Sequence, residues 1–151
     1  MVPTEIARTL AKAKASMHWS LESGTFALLG FPEPPLGLDL AVLTGAGPAQ
    51  VIREGGETTV LARLEDCAAI LERHPAARRE DPLVWIRFEL AMDWELVGFL
   101  ALVTGALAQA GVPLGAICGF SRDHLFVARQ HSHRTAEVLT ELFGPPSSSA
   151  P

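Results

Sequence analysis

The sequence predicts an α+β fold in which an antiparallel sheet is covered on one face by helices. Three observations lead there. From Leu83 onward the apolar pattern reads strand, helix, strand, strand, helix. The run VIREGGETTVLARLED holds two β segments joined by Gly55-Gly56, where a tight turn with positive φ is sterically free. The longest apolar stretch, Leu96 to Leu107, has the length of a buried helix and falls well short of the roughly twenty residues that a bilayer span needs.

Taken in order, Thr4 to Met17 reads as a first helix, with Ile6, Leu10 and Met17 on one face and Thr4 available as a cap. His18 to Phe31 carries Leu21, Phe26, Leu28, Leu29 and Phe31 around Gly24, as in a strand or hairpin that stops at Pro32. PEPPLG is a rigid connector, and a short apolar piece, Leu38 to Leu43, leads to the Gly-Gly hairpin. Glu65 to Arg73 reads as a helix that buries Cys67, Ile70 and Leu71. The polar, Pro-bounded HPAARREDP reads as a solvated linker between two halves.

LVWIRFELAM then alternates as a half-buried strand, with Trp85 and Arg87 against Ile86, Phe88 and Leu90. Val97 to Ala110 forms an apolar helix stopped by Gly111 and Pro113. PLGAICGF and LFVARQ are strands around the polar turn SRDH, and SHRTAEVLTELFG is a closing helix capped by Ser132 or His131. The expected organisation is therefore an N-terminal helix (1–17), a first half (18–75), a linker (76–82), a second half (83–144) and a disordered tail (145–151).

Composition narrows the function. Lys and Arg number 12 against 17 Asp and Glu, a formal net charge of -5, so the basic footprint of a general nucleic-acid binder is missing. Hydrophobic residues at 48% and charged residues at 19% describe a globular chain, and no apolar h-region or membrane span is expected. Cys67 and Cys118 belong to no metal-ligand spacing and read as free thiols in a reducing cytosol, which makes the expected location cytoplasmic. No Gly-rich phosphate loop follows any strand, and no cofactor is expected.

One stretch, FELAMDWELVGFLALVTGALAQAGVPLGAICGFSRDHLFV, resembles the ACT-domain superfamily. Asp93, Trp94, Leu96 and Gly98 match an Asp-aromatic-x-Leu-x-Gly turn; Leu107, Ala108, Ala110 and Gly111 match the end of the following helix; Phe120, Asp123, Leu125 and Val127 match the later strand pair. The Gly-Gly hairpin resembles its counterpart in the first half of such proteins. The resemblance is to small stand-alone bacterial proteins with two ACT-like halves, related to arginine-sensor ACT domains. It implies two ferredoxin-type (βαββαβ) halves and a non-catalytic regulatory or sensing role through a bound amino acid. The chain departs from the pattern at Cys118-Gly119, Ser121, Arg122 and His124.

The strand-to-helix corner is the sharpest candidate site. Free backbone N–H groups at the helix start favour a carboxylate, Gly98 permits close approach, and Asp123 one strand away pairs with an ammonium group. The candidate residues are Asp93, Trp94, Leu96, Val97, Gly98, Phe120, Ser121 and Asp123, and the resemblance implies the same corner. The plainer alternative is that Asp93 only caps the helix and Trp94 only fills the core. A metal cluster of His124, His131 and His133 lacks a third carboxylate or cysteine ligand nearby in sequence, and a Cys118–His124 nucleophilic pair lacks any thiol-hydrolase signature. The second half lacks an obvious fourth strand, so its sheet must be completed by the first half or by another chain, and a homodimer is expected. An oligomerisation or interaction module with a vestigial pocket is the opposing class.

Overall fold

The computed structural model describes residues 4–89 and 94–147. They form two compact units, Gly24–Leu83 on the one hand and Met1–Ser23 with Val84–Pro151 on the other. Both are α+β, and their pairing is antiparallel in every ladder for which a register is resolved.

In the unit Gly24–Leu83, strand β2 (Phe26–Phe31) pairs with β4 (Glu57–Arg63) on one side and with the first residues of β5 (Arg78–Phe88) on the other. Strand β3 (Gln50–Glu54) closes the expected hairpin onto β4, with Gly56 at φ +88°. The strand order is β3-β4-β2-β5. Alternation along β2 and β4 sends Ala27, Leu29, Phe31, Val60 and Ala62 to one face, where they pack with Val42, Cys67 and Ile70. Val42 comes from a 3₁₀ turn (Leu40–Thr44) and Ile70 from helix α2 (Ala68–Arg73).

In the other unit, the last residues of β5 pair with β1 (Trp19–Leu21), Trp19 lying opposite Phe88 and Leu21 opposite Ile86. On its other side β5 neighbours β7 (Asp123–Ala128), which pairs with β6 (Gly115–Cys118). Val84, Ile86 and Phe88 share one face with Leu125 and Val127, and pack against Phe99, Val103 and Leu107 of α3 (Phe99–Gln109) and Val138 and Leu139 of α4 (Ser132–Phe143). Helix α1 (Thr4–Ser16) adds to the helix layer through contacts with both α3 and α4. No helix among the described residues is long and apolar enough to cross a membrane.

Three expectations are corrected. Residues 78–82 are strand rather than linker: the backbone pairs with β2 while the charges stay in solvent or pair locally, Arg78 with Glu57 and Arg79 with Asp81. Pro82 is tolerated there because the register with β2 slips between Phe26 and Leu28, a bulge where no ladder N–H is required. His18 to Phe31 is not a hairpin; β1 and β2 each pair with β5. Residues 145–147 of the expected tail are ordered against β1, since the Ser147 N–H donates to the Trp19 carbonyl at 2.8 Å and Trp19 Nε1 donates to the Gly144 carbonyl at 2.9 Å. The sheet of this unit gains its missing strand from β1, within the same chain.

A buried carboxylate fastens the connector of the Gly24–Leu83 unit. Asp39 is 0% exposed and accepts from the Leu36 N–H at 2.8 Å, from Arg73 Nε and Nη2 at 2.9 and 2.7 Å, and faces His74 Nε2 at 3.2 Å. The other nitrogen of His74 faces Glu33 at 3.4 Å, and its ring stacks on Phe31. Burial pushes the Asp39 carboxyl up, but the Leu36 N–H, Arg73 and His74 outweigh it and hold the group below its ordinary value. Asp39→Ala removes one partner of a buried network and is expected to cost about 3 kcal/mol in chemical denaturation. A carboxyl with a lowered folded pKa contributes stability above its unfolded pKa and loses it as pH falls through the folded value. Wild type is therefore expected to lose stability below about pH 4 more steeply than Asp39→Asn, measured by denaturation at stepped pH.

Candidate functional site

Two turns on the helix-bearing face of the second unit build a cleft. The first leads into α3. Gly98 occupies the N-cap at φ +93°, a left-handed conformation that side-chain-bearing residues rarely adopt. Its carbonyl accepts the Leu102 N–H at 2.9 Å, so the N–H groups of Phe99, Leu100 and Ala101 lie ahead of the first intrahelical bond. Gly98 has no side chain to cap this end, and the first turn holds no acidic residue. Phe99 is fixed beneath it by edge-on packing on Phe88, with ring centroids 5.1 Å apart.

The second turn joins β6 to β7. Cys118 lies opposite Asp123, and the Gly119 N–H donates to the Arg122 carbonyl at 2.8 Å. A Cβ on Gly119 would stand 3.0 Å from that carbonyl oxygen, so a side chain there would crowd the turn. Because side chains alternate along β7, Asp123 shares the face of Leu125 and Val127, whereas His124 points to the opposite face beside Trp85.

The cleft between these turns encloses about 260 Å³ and is lined by Trp94, Leu96, Gly98, Phe120, Ser121 and Asp123 from the sequence-based set. Val97 is exposed and does not line it, and Asp93 lies outside the described residues. Trp94 is 88% exposed and Phe120 97% exposed, so neither fills a core; both stand at the lip. The cleft is also lined by Phe99 to Ala101, the residues of the helix start whose N–H groups the sequence pointed to without naming them, and by Cys118, Gly119 and Arg122, which lay outside the candidate set. Arg122 adjoins Asp123 in the SRDH turn, and that adjacency was the available signal.

The histidines and cysteines do not assemble. The Cys118 thiol bonds to Asp123, and that carboxylate, together with partial burial, pushes its pKa up. His124 is held below its ordinary pKa chiefly by burial and also by Arg87 and Arg122, with Glu22 and Asp123 opposing, and its Nδ1 has no hydrogen-bond partner. His133 is exposed near Glu137, and His131 adjoins Gln130. Among the described residues, no three His, Cys, Asp or Glu side chains are grouped to hold a metal. A raised thiol pKa leaves little thiolate at neutral pH. Alkylation of Cys118 at pH 7.5 is expected to be slower than that of a free cysteine and to speed up in Asp123→Asn, measured by mass spectrometry over time.

No protein-family model matches the chain, and no curated protein matches its sequence. Solved structures do resemble it. The protein Atu0741 of Agobacterium tumefaciens is 16% identical, with a TM-score of 0.70 over 86% of this chain and 90% of that one. The Vibrio cholerae protein VC0802, described as a possible transport protein, is 20% identical with a TM-score of 0.67, covering 91% of this chain and 97% of that one. The ligand-free regulatory subunit of aspartate kinase from Thermus thermophilus is 12% identical with a TM-score of 0.60, covering 83% and 96%. At these identities the likeness concerns the fold: the chain is α+β and ACT-like, in the manner of the regulatory domains of aspartate kinase.

Proposed function

We propose that this chain is a non-catalytic regulatory protein whose cleft at the start of α3 takes a free amino acid. The observation that carries the reading is one opening lined both by the uncapped N-terminal turn of α3 and by Asp123. Backbone N–H groups at a helix start, with the positive end of its dipole, suit an α-carboxylate. Asp123 suits the ammonium group. Likeness to aspartate kinase regulatory subunits supports a regulatory role.

We read each unit as one copy of the βαββαβ pattern, with a 3₁₀ turn standing for the first helix in the Gly24–Leu83 unit. In the first, the order β3-β4-β2-β5 places second, third, first and fourth strands side by side. In the second, β6-β7-β5-β1 has the same sequence of roles, with β5 now first and the N-terminal β1 serving as fourth. A cytoplasmic homodimer is part of the proposal, and its output passes through a partner by a shift in populations on ligand binding.

A thermal-shift screen of the twenty amino acids is expected to raise Tm for one or a few of them, as mass action requires of a ligand that binds only the folded state. Asp123→Ala should abolish the shift while circular dichroism stays unchanged. The exposed Trp94, Val97 and Phe120 favour a second reading, an interaction module with a vestigial pocket. Absence of any shift, combined with dimerisation in light scattering that Phe120→Ser abolishes, would select it.

A further inference from the structure

We infer that the free edge of the Gly24–Leu83 unit, strand β3 with the leucine-rich turn beside it, is the surface on which a second copy of this chain docks, β3 pairing antiparallel with its counterpart about a two-fold axis at Ile52. The inference rests on the homodimer proposed above and does not involve the cleft. β3 ends the strand order of its unit, and among the described residues it pairs with β4 alone. Its register with β4 runs unbroken from Gln50 to Glu54, with no bulge to turn the edge away. Natural sheet edges are commonly blunted by charge, proline or a covering segment. Here the one base of the strand is folded back: Arg53 Nη1 donates to the Pro32 and Glu33 carbonyls at 3.1 and 3.2 Å and to Thr58 Oγ1 at 3.0 Å. Ile52 is left exposed on the edge.

The 3₁₀ turn that lies against β3 adds apolar surface on the other side of the edge. Val51 alternates with Ile52 and packs toward the core, where Val42 of the turn is buried. With three residues per turn, Leu40 and Leu43 eclipse on a face that Val42 does not occupy, and both are exposed. Leu36 and Leu38 are exposed just before them, Leu38 by 67%. The buried Asp39 fastens this segment through the Leu36 N–H, Arg73 and His74, so the leucines are presented in a fixed form and little ordering entropy is left to lose on docking. Four ordered, exposed leucines and an exposed isoleucine around one unpaired edge mark an interaction site.

Charge decides what docks there. The chain carries a formal net charge of -5, so two copies repel over much of their surfaces. From Pro34 to Ile52 the only charged residue is Asp39, which is 0% exposed. Two copies meet here without acid facing acid. Facing residues of an antiparallel pair share a side of the sheet, so a two-fold axis perpendicular to it passes through a residue. With the axis at Ile52, the two Ile52 side chains face each other, Val51 faces Arg53 of the second copy, and the Gln50 amide donates to Glu54 of the second copy. An axis at Arg53 would set Arg53 against Arg53, and one at Glu54 would set acid against acid. An axis at Val51 would place Pro48, which has no N–H to give, within the ladder. The axis at Ile52 also brings the leucines of the two copies to the same side of the joined sheet, where they cover one another.

The test is sedimentation velocity of the full chain across the micromolar range on wild type, Ile52→Lys, Leu43→Glu and Phe120→Ser, with circular dichroism to confirm folding, joined to mild oxidation of Ile52→Cys and Glu54→Cys in a Cys118→Ser background. Wild type is expected to dimerise, Ile52→Lys to weaken the dimer about tenfold or more by setting two ammonium groups against each other at the axis, Leu43→Glu to weaken it as well, and Phe120→Ser to leave it intact. Ile52→Cys is expected to cross-link, because facing Cα atoms of an antiparallel pair stand about 4.5–5.5 Å apart, within disulfide reach. Glu54→Cys is expected not to, since the two positions 54 are separated by about 13 Å along the strands. A dimer that neither Ile52→Lys nor Leu43→Glu weakens, or that Glu54→Cys cross-links as fast as Ile52→Cys, sinks the inference and leaves the homodimer standing. Loss of the dimer in Phe120→Ser alone moves the interface to the lip of the cleft and also overturns it. A monomer at every concentration sinks the inference and the homodimer together. The amino-acid reading is tested by thermal shift and stands or falls apart from these outcomes.

Discussion

Both units depend on the backbone ladder of a single strand, β5. Its first residues give β2 a second neighbour, and its last residues give β1 its pairing and β7 its neighbour. The strand is long enough to do this because it changes character midway. Arg78, Arg79 and Glu80 are held by main-chain bonds while their side chains remain in solvent, and Val84 to Phe88 are held by burial as well. The bulge beside Pro82 marks the change. A strand that is polar at one end and apolar at the other does not show one amphipathic period, so it does not announce its own length.

That is why the sequence read the second half of β5 correctly and the first half as linker. The alternation of Val84, Ile86 and Phe88 against Trp85 and Arg87 is a burial pattern, and burial is what residue types record. Main-chain pairing of Arg78 to Glu80 leaves no trace in side-chain chemistry. The Gly55-Gly56 hairpin, the apolar α3 and the closing helix were legible for the same reason, each resting on local chemistry. The pairing of β1 with β5 was not legible, because partners some seventy residues apart leave no periodic mark. At the cleft, six of the eight candidate residues line one opening, while Val97 does not and Asp93 lies outside the described residues. The free amides of the helix start follow from helix geometry, but which three residues carry them depends on where the helix begins, and the apolar names of Phe99 to Ala101 do not mark that position.

Under the proposed function, an apolar helix would serve polar recognition through its backbone. Among the described residues, the first turn of α3 holds no acidic side chain and Gly98 offers none to cap its N–H groups. A conventional Ser or Asp cap would stabilise the helix by about 1 kcal/mol and occupy those same donors. The glycine cap forgoes that stabilisation, and the seating of Phe99 on Phe88 anchors the helix start instead. The Cys118 thiol has a modest share in this economy: it gives Asp123 a hydrogen bond while staying too weakly acidic to compete for the charge.

The contribution of β1 has a consequence for how the chain is made. Trp19–Leu21 leave the ribosome well before their strand partners Ile86 to Phe88 and before the Gly144 carbonyl that receives the Trp19 indole. The middle unit, Gly24–Leu83, contains its own partners and is free to fold during synthesis, while the opening segment waits for the last helix. Trp19, bonded through its indole to Gly144 and through its carbonyl to Ser147, is thus the point at which the early and late segments of this unit are joined, and the unit cannot close until both have been made.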